Sequence, residues 1–396
     1  MTSRLQLGID FSTKAVDVCL LDGAGQRLVS HQRFPNSVSG YQDLKQLLLA
    51  ALSAQAGSRL AISGEATGMY WLPFFLQLAR DPELAAHETQ LYLLNPRWVA
   101  WYKKCFAPRD KSDVQDAYYI ADHQRLHPAT HSWEPDLATL ALRTYTRFRF
   151  HLVQDLAREK SFYCAYLFLK ANAYQRLQPF SDVFGATSRL VLGQAVSLDD
   201  LAALPVHDLA AKLTAMSPGY LRDPLRNATR LQRVARESFP LPEVLALPVQ
   251  RILAATLELI QALEVRIREV EGWISAELAA FPSIRQLATI PGIGPACSAG
   301  IGAEILPLDR FFTAPKWDAR RRRYRSRNLR DVEDAVAKLA GLWWPRAQSG
   351  DFEAEERHMS KAGNAYLRYY LIQGADQLRK YEPHYRRYYQ RKYRET

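Results

Sequence analysis

Cysteine is scarce in this sequence, and long apolar runs are missing. Four cysteines (Cys19, Cys105, Cys164 and Cys297) are scattered over 396 residues without a CxxC pair. This spacing argues against structural zinc and against a disulfide scaffold. No run approaches the ~20 apolar residues of a membrane-spanning helix, so we expect no membrane partner. The N-terminus enters a strand pattern at once, without a signal-peptide layout, which predicts a cytoplasmic protein.

Acidic residues are outnumbered by basic ones. The chain has 52 Lys and Arg against 41 Asp and Glu, which gives a formal net charge of +11. Such an excess favours a polyanionic partner, and nucleic acid is the first candidate. The length is sufficient for two or three domains with cores of their own.

The first 135 residues have the pattern of an α/β domain. Apolar or alternating runs predict strands at 5–10, 15–22, 27–34, 59–63 and 90–95. Helical periodicity or an acidic first turn predicts helices at 41–55, 71–79 and 113–125. Three antiparallel strands followed by alternating helices and strands are typical of a ribonuclease-H-like, or RuvC-like, domain.

Four acidic residues stand at the ends of these elements. Asp10 and Glu65 each close an apolar run, and Asp113 and Asp116 lie at the start of a predicted helix. Residues three apart share one face of a helix. Carboxylates that converge repel one another unless a cation lies between them, and such oxygen ligands suit Mg²⁺ or Mn²⁺. The set therefore predicts a metal site for phosphodiester cleavage.

The same acids also fit roles other than metal binding. Sugar kinases and actin-like ATPases also begin with a strand, an Asp and a Ser/Thr turn like the one around Asp10, although no later Gly-rich nucleotide loop follows here. Glu65 is equally suited to capping the next helix, because acids are favoured at helix starts. The pair at the helix start is equally suited to surface ion pairs with Arg109 and Lys111.

Residues 136–280 are predicted to be mainly helical, with a coiled coil near their end. Apolar residues repeat every seven positions in the stretch 249–278, with Glu and Arg beside them. The seam consists of Leu253, Ile260, Ile267, Ile274, Val249, Leu263 and Val270, with Thr256 as its weak point. Two structures fit this pattern: a coiled coil for oligomerisation and nucleic-acid binding, and an amphipathic helix packed on its own domain.

The last part, 281–396, is basic and contains a Pro/Gly turn. IPGIGPACSAGIGAEI (290–305) has the form of a helix-hairpin-helix turn, in which Gly292 and Gly294 let backbone N–H groups approach a phosphate. A tight turn between packed helices is the alternative. An arginine run and a Tyr-rich tail predict phosphate contacts and stacking on unpaired bases. The candidate contact residues are Arg320, Arg321, Arg322, Arg323, Arg325, Arg327, Lys361, Arg386 and Arg387.

Ser349 lies in PRAQSGDF (345–352), a context typical of an exposed loop. A serine hydroxyl attacks phosphorus when a metal or a base activates it. Nothing in the local sequence supplies that base, so Ser349 by itself is only a loop serine.

The order of the motifs resembles a known family. GID, GEATG, NPRWV, KSDVQDA, a long helical region, IPGIGP with AEI, and QSG with SKAGNAYLR follow one another along nearly the whole chain. This order resembles the DEDD transposases of bacterial insertion sequences of the IS110 class, and the related Piv DNA invertases. The resemblance implies a RuvC-like domain (1–135), a helical coiled-coil region (136–280) and a C-terminal helical transposase domain (281–396).

The resemblance also implies roles for single residues. Asp10, Glu65, Asp113 and Asp116 match the metal ligands, and Ser349 matches the serine that attacks DNA and forms a phosphoserine link. In the family, the two sites combine between subunits of a homodimer or homotetramer. Some members use a structured noncoding (bridge) RNA to choose double-stranded target and donor DNA.

We therefore expect a bacterial, nucleoid-associated, Mg²⁺-dependent recombinase that excises and inserts a mobile element. The alternatives are a RuvC-type junction-resolving endonuclease, in which water is the nucleophile, and a Piv-like site-specific invertase. A nucleic-acid-binding protein with structural acids is a third. One departure from the family concerns the arginine-rich segment between 312 and 337, which is longer than the connection expected there. Many relatives also continue beyond YYQRKY with another helix.

Overall fold

A computed structural model describes most of the chain. The described residues are 4–55, 57–106, 113–129, 131–193, 198–219, 221–313, 315–318, 320–346, 348–349, 352–353 and 357–395. The chain groups into two compact units, Met1–Leu140 with Pro307–Ala335, and Ala141–Leu306 with Val336–Thr396. The segment 307–335 thus belongs to the first unit. The functional division into three domains stays a prediction.

A mixed sheet is the centre of the first unit. Its described strands are β1 (Arg4–Phe11), β2 (Ala15–Leu21), β3 (Arg27–Pro35), β4 (Arg59–Glu65) and β5 (Gln90–Leu94). Their order is β3-β2-β1-β4-β5; β2 is antiparallel to β1 and β3, whereas β4 is parallel to β1 and β5. The described helices of this unit are α1 (Val38–Ala54), α2 (Leu72–Arg80), α3 (Pro82–Ala85), α4 (Pro96–Cys105) and α5 (Asp113–Leu126). A small antiparallel hairpin of β6 (Lys316–Asp318) and β7 (Arg323–Arg325) belongs to the same unit.

The two faces of the sheet follow from the alternation of residues along β1. Leu5, Leu7 and Ile9 are fully buried in an apolar cluster that includes Leu44 and Leu48 of α1. Because successive residues of a strand point to opposite faces, the residues between them face the other side. Helix α5 packs on β1 and β2 at that second face.

Helices dominate the second unit. They are α6 (Leu137–Lys170), α7 (Tyr174–Leu177), α8 (Ala186–Gly193), α9 (Leu198–Ala203), α10 (Val206–Met216), α11 (Pro224–Glu237), α12 (Glu243–Glu277), α13 (Pro282–Arg285), α14 (Pro295–Ile305), α15 (Leu329–Ala340), α16 (Ala365–Tyr381) and α17 (Pro383–Glu395). The first residues of α6 and of α15 belong to the first unit. Two short strands, β8 (Gln348–Ser349) and β9 (Phe352–Glu353), form an antiparallel hairpin.

The heptad seam of α12 is buried within its own unit. Its residues Val249, Leu253, Ile260, Ile267, Val270 and Ile274 lie in two apolar clusters of this chain. Helix α6 runs antiparallel beside it, because Arg149 pairs with Glu271 (2.7 Å) while Lys160 pairs with Glu264 (2.9 Å). This is the packing of the amphipathic-helix alternative. Oligomerisation through α12 stays a prediction.

Several sequence-based expectations are confirmed. The five predicted strands overlap β1 to β5, and the three predicted helices of the first part overlap α1, α2 and α5. Local sequence patterns did not predict α4 or the hairpin β6–β7. Within the described part of the chain, no helix has an apolar stretch long enough to cross a membrane.

Candidate functional site

Asp10 and Glu65 lie side by side at the carboxyl ends of two neighbouring parallel strands. Ile9 of β1 pairs with Gly64 of β4, so Asp10 and Glu65 are the next residues on each strand. Neighbouring strands lie about 4.8 Å apart, and residues in register point to the same face. Both carboxylates are half-buried. The fold therefore brings two negative charges together at one edge of the sheet.

Glu65 is not a helix cap. The next helix, α2, begins at Leu72, seven residues later, and its first turn has no side-chain cap. The capping alternative is therefore wrong. The hydroxyl of Thr67 donates a hydrogen bond to Glu65 Oε1 (2.7 Å) and orients the carboxylate at the end of β4.

Helix α5, which carries Asp113 and Asp116, packs on the same face of the sheet. Gly8 lies on this face two residues before Asp10, and a Cβ atom at Gly8 would lie 2.1 Å from the carbonyl oxygen of Ala117. The backbone of α5 therefore contacts β1 because residue 8 has no side chain. Asp116 directly precedes Ala117, and Asp113 lies one helical turn before it.

Of the two candidate acids of α5, only the side chain of Asp116 is described. Asp116 Oδ1 is 3.0 Å from the ammonium group of Lys103 on α4. The side chain of Asp113 lies outside the described residues, as do Arg109 and Lys111. Among the side chains that are described, no three His, Cys, Asp or Glu residues are arranged to hold a metal ion.

A third carboxylate, which was not predicted from the sequence, lies beside Asp10. Asp17 of β2 pairs with Asp10 in the register of the sheet and is buried. Arg33 binds both of its oxygens (2.9 Å each), and His31 Nε2 lies 2.7 Å from Oδ1. Burial alone would raise the pKa of Asp17, but Arg33 and His31 hold it below its ordinary value. Its charge is thus balanced by the protein, and its role is structural.

The second unit contains a buried carboxylate at the end of α14. Glu304, in the AEI motif, is 3% exposed. Arg147 of α6 binds both of its oxygens (2.7 and 2.9 Å), and the side-chain amide of Asn364 donates to Oε2 (2.6 Å). Burial alone would raise the pKa of Glu304, but Arg147, Asn364 and Arg143 together hold it below its ordinary value. Two separate sequence motifs, AEI and GNAYLR, therefore meet in one contact.

Asn364 also stands at the base of the segment that carries Ser349. Its side chain caps α16, and its backbone N–H donates to Leu339 O (2.6 Å). Ser360 N–H donates to Trp343 O (2.9 Å), so the chain before and after the segment 344–359 is held together. Ser349 itself ends β8 and pairs with Phe352 of β9. Its side chain lies outside the described residues.

The predicted phosphate contacts fall into two groups. Exposed residues are Arg320, Arg321, Arg322, Arg323, Lys361, Arg386 and Arg387. Arg325 is bound to the buried Asp331 (3.1 Å between Nη2 and Oδ1), and Arg327 is half-buried. Lys361 has a left-handed backbone (φ 51°) and donates its N–H to Gly341 O. The side chain of Arg325 thus has a structural contact that its place in a basic run did not indicate. The contact of Lys361 uses only its backbone, so its predicted phosphate contact stays a prediction.

The Pro/Gly turn precedes α14 as predicted, but the helix before it is short. It consists of α13 and one 3-10 turn, 286–289. Gly292 has φ 86°, and a Cβ atom there would lie 2.7 Å from the ring of Tyr381 on α16. Gly294 caps α14 and has open space beside it. Packing thus explains Gly292, whereas Gly294 leaves room for a ligand.

Comparison with known proteins assigns the chain to a family. Residues 7–167 match a model of DEDD transposases of the IS110 type, described as "Transposase", and residues 326–390 match "Transposase IS116/IS110/IS902 family". These ranges together span more than half of the 396 residues and include all four candidate acids and Ser349. No significant match to a curated protein was found. The chain therefore belongs to the IS110 family of transposases, enzymes that cut and rejoin DNA.

Proposed function

We propose that the chain is a DNA recombinase that uses a metal-assisted serine nucleophile to excise and insert a mobile element. The observation that carries this proposal is the adjacency of Asp10 and Glu65 on the face of the sheet that α5 covers. The strand order β3-β2-β1-β4-β5 is compatible with a RuvC-like domain. Two neighbouring carboxylates repel each other, and this repulsion favours a cation bound between them.

Asp10, Glu65, Asp113 and Asp116 are the residues that would hold Mg²⁺ or Mn²⁺. Their donor atoms are carboxylate oxygens, which these hard cations prefer. Asp17 is excluded from the set because Arg33 and His31 already occupy its oxygens. When bound, the metal polarises the scissile phosphate and stabilises the leaving oxygen. Lys103 balances the charge of Asp116 in this structure.

Ser349 is the proposed nucleophile. Its hydroxyl oxygen forms a bond to phosphorus while the bond from phosphorus to one DNA oxygen breaks, and the serine proton passes to that departing oxygen. The resulting phosphoserine keeps the energy of the phosphodiester, so rejoining needs no ATP. The closed base of the segment 344–359 supports this role, because a nucleophile must be held in place to react efficiently.

The test uses paired variants in cells that carry the element with its native flanking DNA. Asp10→Asn and Ser349→Ala should each reduce excision and insertion junctions to background, measured by quantitative amplification. Asp43→Asn, on the exposed face of α1, is the matched control and should recombine normally. Normal recombination by Ser349→Ala would refute the serine role, and normal recombination by Asp10→Asn would refute the metal site.

The covalent adduct separates recombination from simple hydrolysis. Denaturing gels of wild-type protein trapped during the reaction should show a protein–DNA adduct that Ser349→Ala lacks. A junction-resolving nuclease would instead release free DNA ends without any adduct, because water is its nucleophile. Adduct-free cleavage would therefore favour the nuclease.

The partners we propose are double-stranded DNA at the element ends and target, a structured guide RNA, and further copies of the chain in a homodimer or homotetramer. The net charge of +11 supports a nucleic-acid partner and a nucleoid-associated protein. Sequencing of nucleic acid that copurifies with the protein from such cells tests the RNA. One discrete RNA from the flank is expected, whereas random fragments would favour a Piv-like, protein-read invertase.

A further inference from the structure

The hairpin β6–β7 lies outside both ranges that match the family. The matched ranges are 7–167 and 326–390, and the hairpin occupies 316–325. Its strands pair in register, Lys316 with Arg325 and Trp317 with Tyr324. At the turn, the carboxylate of Asp318 accepts hydrogen bonds from the backbone N–H groups of Arg320 and Arg321 (3.1 Å each). These hydrogen bonds use the backbone of Arg320 and Arg321 and not their guanidinium groups.

One face of this hairpin anchors it to the start of α15. Lys316 and Arg325 both bind Asp331, with Lys316 Nζ 2.6 Å from Oδ1. Asn328 and Asp331 also exchange backbone-to-side-chain hydrogen bonds (3.0 Å each), as in a capping box. Asp331 is buried, and Arg325 holds the pKa of its carboxyl well below the ordinary value. The base of the hairpin is thus fixed by charge-assisted bonds.

The opposite face presents two aromatic rings to solvent. Residues alternate between faces along a strand, so Trp317 and Tyr324 lie on the side away from Asp331. Their ring centroids are 5.1 Å apart, and the two residues are 51% and 68% exposed. Neither ring belongs to an apolar cluster of the described residues. A core-packing role therefore does not explain them.

The tip beside these rings is strongly positive. Arg320, Arg321, Arg322 and Arg323 follow one another there, and all four are exposed. Aromatic rings next to guanidinium groups are the combination with which proteins bind unpaired nucleotides, because bases stack on the rings while the cations contact phosphates.

We propose that the hairpin 316–325 binds unpaired nucleotides of the nucleic-acid substrate, with bases stacked on Trp317 and Tyr324 and phosphates bound by Arg320 and Arg321. A paired duplex buries the faces of its bases within the stack, so the aromatic face selects for unpaired positions. The inference deepens the proposed function and rests on it only for the presence of a nucleic-acid substrate.

Equilibrium binding in EDTA tests the hairpin without catalysis. The probes are a fluorescein-labelled duplex with a six-nucleotide single-stranded gap and the same duplex without the gap, in DNA and in RNA form. The double variant Trp317→Ala/Tyr324→Ala should bind the gapped probe at least about tenfold more weakly and the continuous duplex within about twofold of wild type. Trp317→Phe/Tyr324→Phe keeps both rings and should retain most of the preference for the gap.

The outcomes separate the contributions of the rings and of the charges. A loss of affinity of Trp317→Ala/Tyr324→Ala for gapped DNA, for gapped RNA or for both supports the proposal. Which probe is affected identifies whether the bound strand is DNA or RNA. No loss, or an equal loss on the continuous duplex, overturns it. Arg320→Gln/Arg321→Gln should weaken both probes and reduce the salt slope by up to about 2; if it alone abolishes the gap preference, the stacking assignment is wrong.

A last control separates this inference from the proposed chemistry. Asp10→Asn is expected to be inactive in recombination, yet it should bind the gapped probe like the wild type because residue 10 lies in β1 and not in the hairpin. If the stacking proposal fails, Asp10→Asn should still be inactive in recombination. If Asp10→Asn recombines normally, the binding results for the hairpin variants are unaffected.

Discussion

Single arginines in this chain have two different tasks, and composition does not distinguish them. Arg33, Arg147 and Arg325 each bind a buried carboxylate through their guanidinium group. Arg320 and Arg321 extend from an exposed turn. Because a buried carboxylate needs a partner to stay charged, Arg33, Arg147 and Arg325 stabilise the fold. The excess of basic residues thus overstates the number of cations available to phosphate.

Glu304→Gln should strongly destabilise the second unit. The change removes the negative charge between Arg147 and Arg143 in a site that is nearly closed to solvent. Breaking a buried ion pair on one side costs about 3–5 kcal/mol of unfolding free energy. Urea denaturation of the full chain measures this loss. Glu258→Gln on the exposed side of α12 is the control, and a similar small effect of both variants would contradict the assigned role.

The same contact predicts a pH dependence with a defined sign. The folded-state pKa of Glu304 lies below its ordinary value of 4.5. Its stabilisation is therefore fully present above that value and is lost as the pH falls through the lower, folded-state pKa. The difference in unfolding free energy between wild type and Glu304→Gln should thus narrow below pH 4.5. A constant difference down to the acid transition would show that the carboxylate charge contributes nothing.

Elements are the scale at which sequence reasoning succeeded best. β1 to β5 and α5 have strong local patterns, because buried strands are apolar and the first turn of a helix favours acids. The adjacency of Asp10 and Glu65 followed from two strand ends. The contact between Arg147 and Glu304 joins residues 157 positions apart, so the local sequence around either residue does not predict it. The structural role of Arg325 was hidden for a similar reason, since an arginine in a basic run looks like its neighbours.

Gly8→Ala tests whether the contact between α5 and β1 is required. The added Cβ atom would lie 2.1 Å from Ala117 O and 2.5 Å from Ala121 N, and both are backbone atoms that cannot rotate away. Overpacking of this kind costs about 1–3 kcal/mol. We expect a lower unfolding free energy and a loss of recombination, because α5 carries Asp113 and Asp116.

Gly23→Ala is the matched control for this change. A Cβ atom at Gly23 has its nearest neighbour 3.8 Å away, so the substitution should affect neither stability nor recombination. If Gly8→Ala behaves like Gly23→Ala in urea denaturation and in the junction assay, close contact of α5 with the sheet is not needed for the site.

At the scale of the whole molecule, the C-terminal helix α17 adds an excess of positive charge to the surface. The residues of α17 include five Arg or Lys against one Glu, and no residue of this helix is buried. Arg386 binds the carbonyl oxygen of Lys380 at the end of α16, and Arg379 lies over the ring of Tyr389 at 4.4 Å. The helix is thus attached through its surface groups and leaves most of its cations facing solvent.

A chain that ends after Glu382 should therefore remain folded but bind DNA less tightly. Its urea midpoint should stay close to that of the full chain, because no residue of α17 is itself buried. Each phosphate contact contributes about 0.9 to the slope of log K against log salt, so the slope for a continuous duplex should fall by about 1 to 4. Fluorescence anisotropy between 50 and 200 mM salt, roughly the range over which such contacts decide affinity, measures this slope. An unchanged slope would mean that α17 contacts no phosphate and that other cations hold the duplex. The preference for the gapped probe is assigned to Trp317 and Tyr324, so it should survive the deletion whether or not the slope changes.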